Sequence, residues 1–266
     1  MSNPPRKLAF VLAPSEQGCL IVNRLDVCRD PAMVFGVGHW ILETGAHEPG
    51  EVDMALQVLE LRRQYFGDGV VGVDCGANIG VHTIPWARRM TGWGRVIAIE
   101  AQELIYYALA GNIVLNNCFN ARAIHAAVSD QTGEMRLPAL DPRVEASFGS
   151  LELKPLAAPQ FIGQQVDYEG ERTALVRRMR IDEMGLERLD FLKIDVEGME
   201  LEALAGARET ILAHRPVILA EFFKIGTGPL GAALRDLGYE VFPSGINLLA
   251  IHPSDPIMAH APKAEG

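Results

Sequence analysis

The clearest structural signal in the chain is Val70-Val-Gly-Val-Asp-Cys-Gly-Ala-Asn-Ile-Gly-Val-His-Thr83, an apolar run that ends in an acid and continues into a glycine-rich turn. The β-branched valines favour a short buried strand. Asp74 then stands at the carboxyl end of this strand, where open α/β sheets bind their ligands. Gly76 and Gly80 let the backbone approach a ligand before a helix begins near Val81. The stretch therefore predicts a nucleotide-type cofactor site.

The spacing of this turn, D-x-G-x-N-x-G, differs from the dinucleotide fingerprint G-x-G-x-x-G. A carboxylate beside the turn repels a pyrophosphate, whereas it attracts an ammonium or a sulfonium group. S-adenosylmethionine carries both of these cations. A second apolar run ends in Glu100, which can accept hydrogen bonds from both ribose hydroxyls, a device that NAD enzymes share. Asp74 therefore favours S-adenosylmethionine over NAD, whereas Glu100 indicates a ribose without distinguishing the two cofactors.

From Val70 onward, strand-like and helix-like patterns alternate, which is typical of an α/β fold with a mostly parallel sheet and helices on both faces. The patterns predict helices over 80–91, 103–118, 199–213 and 229–237. They predict strands over 70–74, 95–100, 121–127, 174–180, 189–194, 216–221, 239–243 and 246–251.

The segment before Val70 has its own pattern. Apolar stretches on both sides of Asp30-Pro31 predict one or two hairpins. A helix follows, with a proline at its start and Gly67 after its end, and its apolar positions are Val52, Leu56, Leu59 and Phe66. We therefore expect an N-terminal β-hairpin and helix addition over 1–66, a cofactor-binding domain over 67–252 and a flexible C-terminal tail over 253–266.

Five segments carry a resemblance to a known family. They are 74–83, 112–116 (Asn-Ile-Val-Leu-Asn), 126–133 (Ala-Ala-Val-Ser-Asp-Gln-Thr-Gly), 190–198 (Asp-Phe-Leu-Lys-Ile-Asp-Val-Glu-Gly) and 215–221 (Arg-Pro-Val-Ile-Leu-Ala-Glu). In this order they resemble the FkbM-type S-adenosylmethionine-dependent methyltransferases. The resemblance implies a class I methyltransferase (Rossmann-like) fold with a seven-stranded sheet, and methyl transfer, usually to a hydroxyl oxygen of a small molecule or sugar. The segment 138–172 is longer and more irregular than the resemblance leads us to expect.

The expected cofactor site combines the glycine-rich turn with the ends of the next strands. Ser129 and Asp130 are the candidates for contact with the adenine amine, although Ser-Asp before Thr-Gly is also an ordinary turn sequence. Asp195 follows a further strand whose carboxyl end faces the same crevice. The remaining members of the expected cofactor site are Asp74, Gly76, Ala77, Asn78, Gly80, His82, Thr83, Glu100 and Ala101.

Three acids, Asp195, Glu197 and Glu221, are the expected catalytic residues, because they follow strands that end at this crevice. Methyl transfer to an alcohol needs a base for the hydroxyl proton or a cation for the alkoxide. Asp195 and Glu221 offer oxygen ligands, which favour Mg²⁺ over zinc, so Mg²⁺ is a candidate second cofactor. The same carboxylates can instead cap a helix or hold Lys193.

Two histidines are alternatives for the base. His82 lies in the glycine-rich turn, where it can also cap the helix or contact the cofactor carboxylate. His125 lies inside a predicted strand, where a packed neutral imidazole is the commoner arrangement.

Composition narrows the possible partners. A formal net charge of −10 and a pI near 5.2 argue against a general nucleic-acid binder, which needs a basic surface.

The four cysteines form no C-x-x-C pair, so they suggest neither a zinc site nor a redox motif. No apolar run has the length of a membrane span, and no signal-peptide pattern is visible, so we expect a cytoplasmic protein without membrane partners. A homodimer is expected only from the general frequency of dimers.

The leading prediction is therefore an S-adenosylmethionine-dependent O-methyltransferase. A nicotinamide-dependent oxidoreductase is the first alternative, favoured by the ribose acid and disfavoured by Asp74 and the missing third glycine. A non-catalytic protein that binds the cofactor as a sensor or scaffold is the second.

Overall fold

The structure, a computed structural model, describes residues 8–170 and 172–261. Numbered along the chain, the strands are β1 Phe10–Ser15, β2 Gly18–Asn23, β3 Cys28–Arg29, β4 Val34–Phe35, β5 Val70–Cys75, β6 Gly94–Glu100, β7 Ala121–His125, β8 Ala127–Val128, β9 Gly133–Pro138, β10 Thr173–Met179, β11 Phe191–Ile194, β12 Val217–Glu221, β13 Glu240–Ser244 and β14 Asn247–Ile251. The helices are α1 Val37–Thr44, α2 Pro49–Phe66, α3 Thr83–Arg89, α4 Glu103–Leu115, α5 Glu200–Ala205, α6 Arg208–His214 and α7 Thr227–Asp236, with 3₁₀ helices at Ile181–Met184 and Pro256–His260.

Seven strands form a central sheet in the order β13-β14-β12-β11-β5-β6-β7, in which only β14 runs against the others. The predicted mostly parallel seven-stranded sheet is confirmed, and its architecture is that of the class I methyltransferases. The chain builds outward from β5 to β7 and then returns to β11, which lies beside β5 with Ile194 opposite Cys75. The strand order therefore reverses between β5 and β11, the place where open α/β sheets bind ligands.

A second sheet accounts for the eighth strand predicted after Val70. The strand predicted over 174–180 forms as β10, but it pairs with β8 and β9 in a separate three-stranded sheet. The single strand predicted over 121–127 is wrong, because β7 ends at His125 and the chain turns so that Ala127 pairs with Arg178. The sequence analysis did not predict β9.

All four helices predicted after Val70 differ in their bounds from the structure; the helix predicted over 229–237 forms as α7 within two residues of its predicted bounds, and the other three differ more. The helix predicted over 80–91 begins only at Thr83, because the turn before it keeps positive φ angles at Gly76, Asn78 and Gly80. The helix predicted over 199–213 is divided into α5 and α6. Gly206 lies at the break, where a Cβ would stand 1.9 Å from the carbonyl oxygen of Ser129. The helix predicted over 103–118 ends at Leu115.

The N-terminal segment forms two hairpins, β1–β2 and β3–β4, followed by α1 and α2. The predicted limits of α2 are confirmed, with Pro49 at its start and Gly67 at its end. Its buried face is centred on Val52, Ala55, Val58 and Leu59, and the prediction of Phe66 as an inward position is wrong, since this side chain is exposed. The helix contacts β5 and α3 and so covers part of the central sheet.

Arg62 joins α2 to two distant parts of the chain. Its guanidinium forms buried ion pairs with Asp190, 3.1 Å from Nε, and with Asp255. Asp255 leads into the 3₁₀ helix Pro256–His260, so the prediction of a flexible tail from residue 253 is wrong for the described residues 253–261. Residues 1–7 of the predicted N-terminal addition and residues 262–266 of the predicted tail lie outside the described residues.

Asn112 fastens the first hairpin to the rest of the fold. Its buried side chain accepts a hydrogen bond from the Ile21 N–H at 2.6 Å and donates one to the carbonyl oxygen of Ile79 at 2.8 Å. One side chain on α4 thus connects β2 with the glycine-rich turn. The segment 112–116 therefore has a structural role next to that turn.

Candidate functional site

A cavity of about 340 Å³ opens at the carboxyl ends of the central strands, beside the point where the strand order reverses. One side is lined by the turn after β5, the end of β6 and the residues after β7. The other is lined by the residues after β11 and β12, by residues 147–153 and by the N-terminal segment between Met33 and Glu48. The predicted site residues that line the cavity are Gly76, Ala77, Asn78, His82, Glu100, Ala101, Asp195, Glu197 and Glu221.

Gly76 sets the shape of the turn after β5. Its φ of 79° lies in the left-handed region, and a Cβ at this position would stand 1.6 Å from the carbonyl oxygen of Asp195. Only glycine permits this approach of two strand ends. The close contact brings the turn and Asp195 to the same part of the cavity wall.

Glu100 is a buried carboxylate held by the backbone. One oxygen accepts the Asn78 N–H at 3.0 Å and the other accepts the Gln102 N–H at 2.8 Å. Burial raises the pKa of Glu100 to about 7, although these backbone hydrogen bonds act in the opposite direction. Each carboxylate oxygen is thus fixed by one donor and retains capacity to accept a hydrogen bond from a ligand hydroxyl.

Asp74, Gly80 and Thr83 do not line the cavity, which contradicts their prediction as direct cofactor contacts. The buried Asp74 carboxylate accepts a hydrogen bond from the Thr83 hydroxyl at 2.6 Å, and this bond ties the end of β5 to the start of α3. Gly80 instead packs close to Leu109 and Ile84. Thr83 and Gly80 therefore support the turn from behind, whereas the second oxygen of Asp74, Oδ1, is buried without a hydrogen-bond partner among the described residues.

The adenine prediction for Ser129 and Asp130 is also not supported. The cavity is lined instead by Ala126, Ala127 and Val128. Because the chain leaves the central sheet here to join β10, the Ser129 N–H bonds to the Met179 carbonyl oxygen, and the Ser129 hydroxyl donates to Asp130. The wall at this position is therefore apolar.

Asp195 and Glu221 form a coupled pair of acids. Burial alone would raise the pKa of Asp195, but the charge of Lys193, 2.7 Å away, and a hydrogen bond with Glu221 lower it. The pKa of Glu221 is raised by burial and by the charge of Asp195. One proton shared by the pair therefore resides on Glu221 and leaves Asp195 ionised.

Glu197 completes the acidic group. Burial and the charge of Asp195 raise its pKa, and Lys224 lies 3.5 Å from its carboxylate. The carboxylate oxygens of Asp195, Glu197 and Glu221 lie within 4.8 Å of one another, so the structure brings the three predicted catalytic acids together.

This group does not fit a divalent metal ion, despite its oxygen-only donors. The Lys193 ammonium already neutralises Asp195, the Lys224 ammonium faces Glu197, and Glu221 holds a proton. A Mg²⁺ ion would have to displace that proton beside two ammonium groups.

A second cluster was not foreseen from the sequence as part of the site. Glu48, Glu51 and His82 offer ligand atoms within 4.8 Å of one another, and His82 Nε2 lies 3.3 Å from a Glu51 oxygen. His82 is buried, and neither ring nitrogen has a hydrogen-bond partner among residues 8–170 and 172–261. In the sequence, Glu48 and Glu51 stand at the start of a predicted helix. Acids are common at this position, so it gives no indication of a ligand site.

Four further cavity residues were missed or given only a minor role by the sequence analysis: His47, Gln102, Lys193 and Lys224. The alternative base His125 does not line the cavity. Its ring stacks on Tyr106, with centroids 5.1 Å apart, and its Nε2 lies 3.0 Å from the Ala101 carbonyl oxygen. His125 is therefore a packed histidine.

Within the described residues, no helix has both the length and the apolar character needed to cross a membrane.

Comparison with known proteins gives consistent results. The chain matches the family described as Methyltransferase FkbM domain over residues 74–241. The methyltransferase sdnD of Sordaria araneosa is 30% identical over 190 residues, which cover 64% of this chain and 73% of that protein. The crystal structure of methyltransferase FkbM from Methylobacillus flagellatus KT is 21% identical, with a TM-score of 0.47, and the match covers 71% of this chain and 46% of that one. The chain thus spans less than half the length of that protein.

M. jannaschii TYW2, in complex with AdoMet, is 13% identical to this chain, with a TM-score of 0.44 over 94% of this chain and 87% of that one. The family match extends over more than half of the chain and includes the turn after β5, Glu100 and the acids after β11 and β12. This chain therefore belongs to the FkbM-domain methyltransferases.

Proposed function

We propose that the protein is an S-adenosylmethionine-dependent O-methyltransferase that acts on a hydroxyl group of a small molecule or sugar. The observation that carries the proposal is the buried Glu100 carboxylate in the cavity wall, fixed by the N–H groups of Asn78 and Gln102. A carboxylate in this position suits the two hydroxyls of a ribose. The family assignment favours S-adenosylmethionine as the nucleoside that supplies the ribose.

The cavity wall fits the parts of this cofactor in order. Glu100 would hold the ribose, and the apolar strip formed by Ala126, Ala127 and Val128 would pack against the adenine. The turn at Gly76 would hold the methionine end, since its backbone is open to close approach. Asp74 would act through its support of this turn and through its charge rather than by direct contact.

The bound cofactor supplies a sulfonium methyl group, which is already a strong electrophile. The protein then has to align the acceptor hydroxyl at near-attack distance and exclude water. Asp195 would accept a hydrogen bond from this hydroxyl, because it is the ionised member of its pair and lines the cavity. Residues 147–153 and the N-terminal segment would close the acceptor side.

The hydroxyl proton of the acceptor would pass to a carboxylate oxygen of Asp195 as the acceptor oxygen gains the methyl group. An oxygen that has gained a methyl group and still holds its proton is a strong acid, so a weakly basic carboxylate suffices to remove that proton. Glu221, which shares the proton of the pair, would hold Asp195 in place, and Glu197 would complete the acidic surroundings. We therefore expect Asp195→Asn and Glu221→Gln to reduce turnover more than cofactor affinity.

Isothermal titration with S-adenosylmethionine and S-adenosylhomocysteine tests the cofactor assignment, with NADH as the control ligand. We expect dissociation constants on the order of micromolar for both sulfur compounds and no binding of NADH. Glu100→Ala should weaken binding at least about tenfold, because two hydroxyl contacts to a charged group are lost. The matched control Glu103→Ala removes an exposed acid three residues away and should leave the affinity unchanged.

The same titration separates the alternatives. Binding of NADH in place of S-adenosylhomocysteine would favour the oxidoreductase, because a ribose-binding acid serves both cofactor classes. Tight binding of S-adenosylmethionine without methylation of any alcohol in a broad panel would favour a non-catalytic role.

We propose that residues 1–66 form an accessory segment that completes the acceptor side of the domain spanning 67–252. The contribution of Met33, Trp40, His47 and Glu48 to the cavity wall supports this division.

A further inference from the structure

The mouth of the cavity carries an unusual group of apolar side chains. Met33 and Trp40 come from the N-terminal segment, Phe223 follows β12, and Ile246 lies between β13 and β14. All four line the cavity and are exposed, Met33 to 58% and Phe223 to 55%. Exposed apolar groups that converge on one opening are typical of a binding surface.

The apolar surface continues into the cavity. Phe35 and Val37 extend the wall formed by the N-terminal segment, and Leu151 and Leu153 add two buried side chains from the segment between β9 and β10. This path leads from the mouth to the acids after β11 and β12. A ligand that enters along it exchanges water for hydrocarbon over much of its surface.

Both lysines in the cavity wall are already engaged. Lys193 is bound to Asp195 at 2.7 Å. Lys224 contacts Gln160 at 2.7 Å, Glu152 at 3.3 Å and Glu197 at 3.5 Å. In the part of the chain that the structure describes, no arginine lines the cavity. An anionic ligand would therefore find no free cation there.

The other ionisable groups in the wall disfavour an anion further. Burial lowers the pKa of His47, so this imidazole is neutral at pH 7. Glu48 adds a negative charge to the acceptor side, while the charges of Asp195 and Lys193 offset each other. A phosphate or carboxylate on the acceptor would be repelled and left without a partner.

Building on the proposed function, we infer that the methyl acceptor is an uncharged, largely apolar alcohol that is held by the side chains at the cavity mouth. The same surface disfavours sugar phosphates and other acceptors whose phosphate or carboxylate would enter the cavity with the hydroxyl. The hydroxyl is the polar end of this acceptor, and its carbon skeleton contacts Trp40 and Phe223.

The test uses the uncharged dye Nile red, whose fluorescence rises in apolar surroundings, with the full chain in the presence and absence of S-adenosylhomocysteine. The test variant combines Trp40→Ser with Phe223→Ser, two exposed positions whose loss leaves the core intact. The matched control is Phe119→Ser, which removes an 87% exposed phenylalanine away from the cavity.

We expect saturable dye binding that weakens at least about tenfold in the double variant and is unchanged in Phe119→Ser. Cyclohexanol should displace the dye, whereas glucose 6-phosphate should not. No saturable binding, an equal loss in Phe119→Ser, or displacement by glucose 6-phosphate would overturn the inference.

Titration of S-adenosylhomocysteine into the same proteins tests the proposed function separately from the acceptor class. Its affinity should be equal in the wild type and in both variants, because the proposed cofactor site consists of the turn at Gly76, Glu100 and residues 126–128 and includes none of the three side chains. Failure of S-adenosylhomocysteine to bind the wild type would refute the proposed function, whereas dye results contrary to expectation with S-adenosylhomocysteine bound would refute only the acceptor class.

Discussion

Lys193 Nζ lies 2.7 Å from Asp195 Oδ2 at the end of β11, and the lysine side chain is only 3% exposed. Burial alone would lower the pKa of Lys193, but the charges of Asp195, Glu51, Asp74 and Glu48 raise it. One ammonium group thus interacts with acids at the start of α2, in β5 and directly after β11. It neutralises charge in both acidic clusters of the cavity.

Replacing this ammonium should be costly. Lys193→Met leaves the surrounding carboxylates without their cation, and we expect a loss of about 3–5 kcal/mol in the free energy of unfolding. Urea denaturation measures it. The matched control Lys154→Met breaks a more exposed ion pair with Glu202 and should cost less than about 1 kcal/mol. Equal losses in the two variants would contradict a central role for Lys193.

Cofactor affinity should depend on pH through Glu100, whose pKa is raised to about 7 by burial. Because the folded state favours the protonated form, this group contributes less stability as pH rises from its usual range through about 7. Ligand hydroxyls favour the ionised form, so affinity for S-adenosylhomocysteine should rise over the same window.

Titration calorimetry between roughly pH 5.5 and 8.5 gives this profile. Glu100→Gln should bind more weakly and lose the pH dependence. Affinity is the better readout than stability here, since Asp26, a buried acid outside the cavity with a pKa of about 6, also titrates in this range. A profile that Glu100→Gln leaves unchanged would assign the titration to another group.

Metal removal should have no effect on cofactor binding. EDTA treatment is expected to leave the affinity for S-adenosylhomocysteine unchanged, and added Mg²⁺ should give no binding heat, because lysines and a proton already neutralise the acids. Stoichiometric Mg²⁺ binding that disappears in Asp195→Asn would show that this proton and these lysines move aside for an ion.

Gly76→Ala should damage both the fold and the cofactor site, because the new Cβ would collide with the Asp195 carbonyl oxygen. Gly92→Ala is the control, since Gly92 has a similar φ of 84° and nothing within 4 Å of its would-be Cβ. We expect the control to cost about 1–2 kcal/mol of backbone strain and Gly76→Ala to cost clearly more. Similar unfolding midpoints would mean that β5 and β11 can separate without loss.

The sequence was informative wherever structure depends on local patterns. The valines of β5, the acid that ends β6, and the proline and glycine that bound α2 all predicted their elements correctly. The grouping of Asp195, Glu197 and Glu221 also followed, because parallel strands end at one edge of a sheet.

Features that depend on distant partners were not predictable in this way. The strand predicted over 121–127 is one uninterrupted stretch without a turn residue, and only the pairing of Ala127 and Val128 with Arg178 and Met179 divides it between two sheets. The same division removes Ser129 from the cavity. Glu48 enters the site because α2 packs against the central sheet, a contact that no short motif encodes.

The cavity mouth has an evolutionary consequence. Of its four side chains, Met33 and Trp40 precede the stretch 74–241 that matches the family and Ile246 follows it, whereas Phe223 lies within it, as do the turn after β5 and Glu100. Under the proposed function, most of the acceptor-binding mouth could therefore change without any change in the proposed cofactor site. Exchanging the N-terminal segment between family members should then transfer the preference for the methyl acceptor.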